Sequence, residues 1–277
     1  MPRPVITLTT DFGLKDGYVA AMRGVILRIN PDAEIVDVTH DISPQDIASA
    51  AFVLGAAYSY FPEHSIHVAV VDPDVGTSRR ALVLRTPKGV FVAPDNGLLT
   101  YVLKDYRAKT EGQAGFMEPC SVTAPSGCDA FSLTNSSYWL SQVSSTFHGR
   151  DIFAPVAAHL SLGEQPEKMG VAVAELTCLN IPDPKVKDKL MVGKVIHVDR
   201  FGNLITNIEN KALLGKKAVV EIKNKTIVGI AHTYASKRGL AAILGSHGYL
   251  EIAVANGSAA EVLKARVGEE VRVTFRP

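Results

Sequence analysis

Apolar and polar positions follow two rhythms along the chain. Residues 4–12 (PVITLTTDF) are rich in β-branched side chains and lead through Gly13 to apolar positions at Val19, Met22, Val25 and Ile26, spaced as on one helix face. Strand, loop, helix is the predicted order. It recurs at Glu34–His40, followed by Ser43-Pro44-Gln45-Asp46, which reads as a helix start. Ser43 would cap, Pro44 would take the first helical position and Asp46 would face the positive helix end, with the helix running to about Phe61. Ile66–Val71 is a nearly unbroken apolar run, and Ala81–Thr86 and Val90–Val92 flank a turn at Lys88-Gly89. Such runs predict strands buried on both faces. The alternation predicts a layered α/β domain with a largely parallel sheet. Residues 107–145, rich in Ser, Thr, Gly and Pro without a period, read as an irregular excursion, and a helix from about Asp151 to Leu162 follows.

The second rhythm is that of short strands and hairpins. VGKVIHVD, AVVEIKNKTIVGI with a turn at Asn224-Lys225, LEIAV and EEVRVTF predict a small β-barrel or sandwich from Met191 onward. The polar, Pro-containing LNIPDPKVKD at 179–188 reads as a connection. The division predicted is therefore an α/β domain over 1–178, a linker over 179–190 and a β-barrel over 191–277.

Composition narrows the class. Apolar residues make up 47% and charged residues 21%, with Lys+Arg 29 against Asp+Glu 28, so no charge excess calls for a nucleic-acid partner. Met1-Pro2-Arg3-Pro4 runs directly into the first strand, and no apolar stretch is long enough for a bilayer, so no membrane association is expected. Three cysteines, Cys120, Cys128 and Cys178, are an odd number without CxxC spacing. Neither a disulfide framework nor a zinc site is indicated, and a cytoplasmic location is expected.

In open α/β sheets, ligands bind beyond the carboxyl ends of the strands. Asp11 ends the first predicted strand, Asp72 ends the Ile66–Val71 run, and Asp95-Asn96 follow Val90–Val92, so three segments deliver acids or amides to one edge. Asp11-Phe12-Gly13 mimics the kinase magnesium motif, but only ten residues precede it, too few for the other kinase parts. Asp72-Pro73-Asp74 approaches the aspartyl-phosphate pattern, yet Thr77 falls one place late. Arg79 alone reads as a solvated neighbour of Arg80, and His148-Gly149-Arg150-Asp151 alone reads as a helix cap.

Six segments in order carry more weight: TTDFG (9–13), VVDPDVGTSRR (70–80), APDNGLLT (93–100), TFHGRDIFAP (146–155), DRFGNLITNI (199–208) and GSHGYLEIAVANGSAA (245–260). Together they resemble the S-adenosylmethionine (SAM) hydroxide adenosyltransferases, relatives of the SAM-dependent fluorinase and chlorinase. The resemblance runs from about residue 5 to the C-terminus. It implies an α/β domain followed by a β-barrel, and hydrolysis of SAM to adenosine and methionine by attack of water on ribose C5′. It implies a water-handling trio at Asp72, Arg79 and His148, and substrate contacts at Asp11 (ribose hydroxyls), Thr146 and Phe147 (ribose and sulfonium), Asp199 (methionine amine), Phe201 and Asn203 (adenine) and Ser246 (methionine carboxylate). It further implies a homotrimer with sites between subunits.

Departures from the halogenating relatives bear on the nucleophile. The resemblance puts Asp72 where they carry an uncharged residue, and Gly149 where they carry a serine or other small halide-binding residue. Water is therefore expected to be preferred to halide. His247 stands where the fluorinase has an arginine. No metal or cofactor is expected, because the sulfonium already makes methionine a good leaving group. Two alternatives remain at this level: a metal-dependent phosphohydrolase using Asp11, Asp72, Asp74 and Asp95, and a SAM- or adenosine-binding protein without catalysis.

Overall fold

The structure is a computed structural model that describes residues 3–276 apart from 109, 112, 113 and 235–238. Met1 and Pro2 of the expected N-terminal lead lie outside the described residues. The chain divides into two compact parts, Met1–Asn180 and Ile181–Pro277.

The first part contains β1 (Val5–Thr10), α1 (Tyr18–Ile29), β2 (Glu34–Thr39), α2 (Ile47–Ala57), β3 (Ser65–Val70), β4 (Ala81–Thr86), β5 (Gly89–Pro94) and α3 (Thr100–Asp105). It continues with β6 (Thr110–Glu111), β7 (Pro119–Thr123), β8 (Asp129–Leu133), α4 (Ala154–Ser161), β9 (Gly170–Val173) and β10 (Glu175–Leu179). The main sheet has the order β2-β1-β3-β5-β4-β8-β9. Strands β2, β1, β3 and β5 are parallel, and β4, β8 and β9 extend the sheet by antiparallel pairing. Every residue of β3 is buried, as expected for a central strand covered on both faces. Alternation along it separates two cores. Val68 and Val70 pack with Met22 and Ile26 of α1 and Val156 of α4, whereas Ala69 and Val71 pack with Leu54 of α2 and Val102 of α3. The α/β class predicted from the pattern is the class observed.

Two local expectations are corrected. The start of α2 lies three residues later than the Ser43 cap predicts. Asp46 is the cap, its Oδ1 accepting from Ser49 N at 2.9 Å. The cause is long-range: Asp11 Oδ2 accepts from Gln45 N at 2.8 Å, and Gln45 adopts φ +68°, which keeps 43–46 a turn. The excursion at 107–145 is also less irregular than its composition suggests. β8 joins the main sheet between β4 and β9, while β7 pairs with β6 and β10 in a separate three-stranded sheet.

The second part contains β11 (Lys185–Lys187), β12 (Leu190–Val198), β13 (Leu204–Glu209), β14 (Lys217–Ile222), β15 (Lys225–Val228), β16 (Leu240–Leu244), β17 (Tyr249–Val254), α5 (Ala259–Leu263) and β18 (Glu270–Arg276). Its sheet runs β15-β14-β18-β12-β13-β17-β16 in antiparallel pairs, with β11 added to β12. A bridge between Ala231 and Ile243 brings the two ends of this path toward each other, giving a nearly closed barrel around Val195, Val220, Leu250, Ile252 and Val273. The β14–β15 turn falls at Lys223-Asn224, one residue before the expected position, because Ile222 pairs with Lys225. Lys223 takes the positive φ the turn needs, +50°.

Candidate active site

Beyond the carboxyl end of β3, the chain turns through Asp72 and returns through Arg79 to β4. Arg79 Nε donates to Asp72 Oδ1 at 3.0 Å, and Arg79 Nη2 donates to Asp72 Oδ2. Nη2 also lies 3.1 Å from His148 Nδ1. Arg79 and Asp72 side chains are only 6% and 4% exposed, whereas that of Arg80 is 39% exposed. That contrast rules out the solvated-loop reading of Arg79. Its guanidinium also lies over the Phe153 ring, 5.5 Å from the centroid. His148 makes no side-chain cap bond at the turn it precedes; its ring is given to Arg79 instead.

Protonation states follow from these contacts. Burial is the largest influence on Asp72 and holds its pKa above the ordinary carboxylate value, although Arg79 and His148 pull the other way. Burial, followed by the Arg79 charge, lowers the pKa of His148. A guanidinium can only donate, so Nδ1 of the neutral His148 ring accepts and the proton resides on Nε2. The site thus offers a carboxylate with raised basicity beside an imidazole whose outer nitrogen is a donor.

The loop carrying His148 is fixed by a fully buried acid. Asp151 accepts from Ser144 N at 2.8 Å and from Arg150 Nε at 2.6 Å, and its carbonyl accepts from Leu140 N at 2.9 Å. Residues Gly149–Phe153 form a π-turn leading into α4, a local widening of the helix that often accompanies functional sites. Gly76, at φ +81°, lets the Asp72–Arg79 loop approach: a Cβ there would stand 2.3 Å from Ser145 O. Thr146 is exposed at the same loop, while Phe147 packs edge-on against Phe12 and Tyr18 with centroids 5.6 and 5.1 Å away.

Asp11 lies just past β1, in a turn held from behind. Thr10 Oγ1 is 2.8 Å from His40 Nδ1 and accepts from Phe12 N at 3.2 Å, while Gly13 N donates to His40 O at 2.8 Å. His40 Nε2 in turn lies 3.1 Å from Asp37 Oδ1. Nothing in the sequence alone marks Phe12, Phe153 or Asp151 as supporting the site. Tyr18 carries the one usable signal, an aromatic at a helix start; the structure leaves it 49% exposed.

The remaining residues belong to the barrel part. Asp199 Oδ1 accepts from Phe201 N and Asn203 N at 2.9 and 2.8 Å, and Oδ2 accepts from Asn203 Nδ2 at 2.9 Å, so this acid shapes the loop between β12 and β13. Phe201 is 76% exposed and, with Asn203, Tyr234, Val254 and Asn256, lines a cavity of about 560 Å³. Ser246 is exposed in the β16–β17 turn, which Asn210 Nδ2 braces through Gly245 O at 2.8 Å. Among the described residues no three His, Cys, Asp or Glu side chains gather as a metal-ligand set. Asp95, one ligand of the phosphohydrolase alternative, is held by Arg80 at 2.5 Å and by Thr177 N at 2.7 Å. No helix among the described residues is long and apolar enough to cross a membrane.

Comparison with known proteins gives the family. The family model for the SAM hydroxide adenosyltransferase N-terminal domain matches residues 6–170, and that for the C-terminal domain matches residues 193–272. A protein of Salinispora tropica named (R)-S-adenosyl-L-methionine hydrolase is 38% identical over 277 residues, covering 99% of this chain and 98% of that protein. A fluorinase of Nocardia brasiliensis is 29% identical, covering 98% and 97%. The crystal structure of an uncharacterized conserved protein from Thermotoga maritima superposes with a TM-score of 0.84 at 36% identity, covering 97% of this chain and 99% of that one. Both parts of the molecule are matched, and the chain belongs to the SAM hydroxide adenosyltransferase family.

Proposed function

We propose that this protein is an enzyme that hydrolyses (R)-S-adenosyl-L-methionine to adenosine and methionine, with Asp72, Arg79 and His148 holding the attacking water. The relatives' name supports the substrate, and the observation that carries the mechanism is the buried Asp72–Arg79–His148 constellation. Water attacks C5′ from the side opposite sulfur, the C5′–S bond breaks, and methionine leaves with the electron pair that neutralises its sulfonium. The water proton passes to Asp72, whose raised pKa suits it to accept. Arg79 keeps that carboxylate oriented, and His148 Nε2–H donates to the water oxygen and fixes its lone pair on C5′. Alignment of this kind is worth about 7–11 kcal/mol in well-oriented model reactions.

Asp11 is assigned to the ribose hydroxyls, Thr146 and Phe147 to the ribose and sulfonium, and Phe201 and Asn203 to adenine. Asp199 and Ser246 are assigned to the methionine amine and carboxylate. The enzyme works as a cytoplasmic homotrimer, each site taking its first-domain residues from one subunit and its barrel residues from a neighbour. No resident cofactor takes part, since the leaving group arrives activated. Incubation of the pure protein with SAM, followed by chromatography, tests the reading: adenosine and methionine should appear in equal amounts, and intact SAM after prolonged incubation would overturn it.

A further inference from the structure

Strand β17 carries a buried acid on the side of the barrel wall away from its core. Leu250 and Ile252 point into the barrel core, so Glu251 and Ala253 face the other way. Neither is exposed: Glu251 is 1% and Ala253 0% accessible. Ala231 packs with Ala253, Ala241 and Ile243 over this face, and the segment continues to Tyr234. The phenol of Tyr234 donates to Glu251 Oε1 at 2.8 Å. On the other side, Glu251 Oε2 occupies space left by Gly245, where a Cβ would lie 2.9 Å away. Asp199 and His247 are the titratable groups whose electrostatic influence reaches Glu251.

Burying a carboxylate on a strand face that could have been apolar is costly, and a neighbouring Ala253 shows what that face accepts. The acid instead anchors a side chain that lines the barrel cavity. Tyr234 is 48% exposed, is held at its phenol by Glu251, and shares the cavity with Phe201 and Asn203. An aromatic that is half in solvent would otherwise sample several rotamers, and fixing it beforehand removes that ordering cost from ligand binding.

We propose that Glu251 is a positioning residue: it clamps the Tyr234 phenol so that the ring stands ready as a wall of the cavity that receives the adenine of the substrate. The proposal rests on the SAM-hydrolase reading for the identity of the ligand. The geometry of the clamp does not depend on it.

The test uses adenosine, SAM and four variants of the full chain. Glu251→Gln keeps an acceptor for the phenol and should bind adenosine within about twofold of the wild type. Glu251→Leu and Tyr234→Phe should each weaken adenosine about tenfold, the worth of one such hydrogen bond, and should raise KM for SAM by more than they lower kcat. The double variant should be no weaker than the worse single one. Folded Glu251→Leu and Tyr234→Phe proteins that bind adenosine like the wild type would overturn the proposal. So would Glu251→Gln losing as much SAM affinity as Glu251→Leu, which would assign the acid a charge role. If Glu251→Leu does not fold, Tyr234→Phe and Glu251→Gln decide by the same criteria. Ligand-free crystal structures separate the two readings. A Tyr234 ring fixed in the wild type and displaced in the variants upholds the clamp even if the wild type fails to bind adenosine, an outcome that would count against the hydrolase reading alone.

Discussion

Replacing Arg79 with methionine removes the one cation of a buried pair while keeping an unbranched side chain of similar reach. Three donated hydrogen bonds disappear, two to Asp72 and one to His148, together with the contact over Phe153. Asp72, with its side chain 4% exposed, is left as an unpaired buried carboxylate. Breaking a buried pair in this way costs about 3–5 kcal/mol. The cost depends on pH with a definite sign. Burial already holds the folded-state pKa of Asp72 above its unfolded value, and loss of Arg79 raises it further. A raised carboxyl contributes stability that is present below the unfolded pKa and fades as pH rises through the folded value. The variant's deficit against the wild type should therefore be small in acid and grow toward neutral pH. Urea denaturation at several pH values measures it, and SAM turnover should fall by about 10²–10⁴-fold, because Asp72 loses the contact that keeps it ionised and oriented toward the water. A variant with turnover within tenfold of the wild type, or with a deficit independent of pH, would refute the role given to this ion pair.

Three other outcomes are expected. The acid limb of kcat should lie above the ordinary carboxylate range, because Asp72 must be ionised and its pKa is raised, while His148, with its pKa lowered, stays neutral down to more acid pH; Asp72→Asn should abolish turnover across the whole profile, measured by adenosine release. In ¹⁸O-labelled water the label should enter the adenosine 5′-hydroxyl with inversion at a stereospecifically deuterated C5′, and mass spectrometry and NMR would detect the retention that a covalent Asp72 intermediate requires. Gly202→Ala should destabilise by about 1–3 kcal/mol, since Gly202 has φ +79° and a Cβ there would stand 2.1 Å from the Oγ of Ser258, the cap of α5; thermal unfolding checks this, and KM for SAM should rise because the same loop presents Phe201 and Asn203.

What could be read from the sequence follows from how local its cause is. Strands β1, β3, β4 and β5 are written in β-branched and apolar runs whose burial depends little on the rest of the chain. The start of α2 could not be read, because it is set by Asp11, thirty-four residues away, capturing the N–H of Gln45. Strands β7 and β8 escaped because Pro119-Cys120-Ser121 and Asp129-Ala130-Phe131-Ser132 carry no clean alternation; their pairing with β10 and β4 is what orders them. Among the site residues, Arg79 and Arg80 are indistinguishable as letters. Only the fold turns the first onto Asp72 and His148 and the second onto Asp95. Glu251 is another such case, since strand alternation in LEIAV gives no sign of its burial, which comes with the contact from Tyr234.

The choice of nucleophile can be argued from the same geometry. An anion brought to the proposed water position would sit against Asp72, and two like charges 4 Å apart repel by about 4 kcal/mol at an effective dielectric of 20. The Arg79 charge offsets part of this, but its Nε and Nη2 are turned to Asp72 and His148 rather than offered to an incoming anion. His148 Nε2–H alone would remain to bind a halide, whereas water can donate to Asp72 and accept from His148 at once. The resemblance to the halogenating enzymes puts a serine or other small residue at Gly149, and here that route is sterically tight. A Cβ on Gly149 would meet the Phe147 ring at 3.2 Å, and Met22 Sδ and the Phe12 ring at 3.3 Å. Phe12 flanks Asp11, Phe147 flanks His148 and Met22 belongs to the core beneath α1. Making room for a hydroxyl donor would move the turns that carry two proposed site residues, so the charge at Asp72 and the packing at Gly149 both favour water over halide.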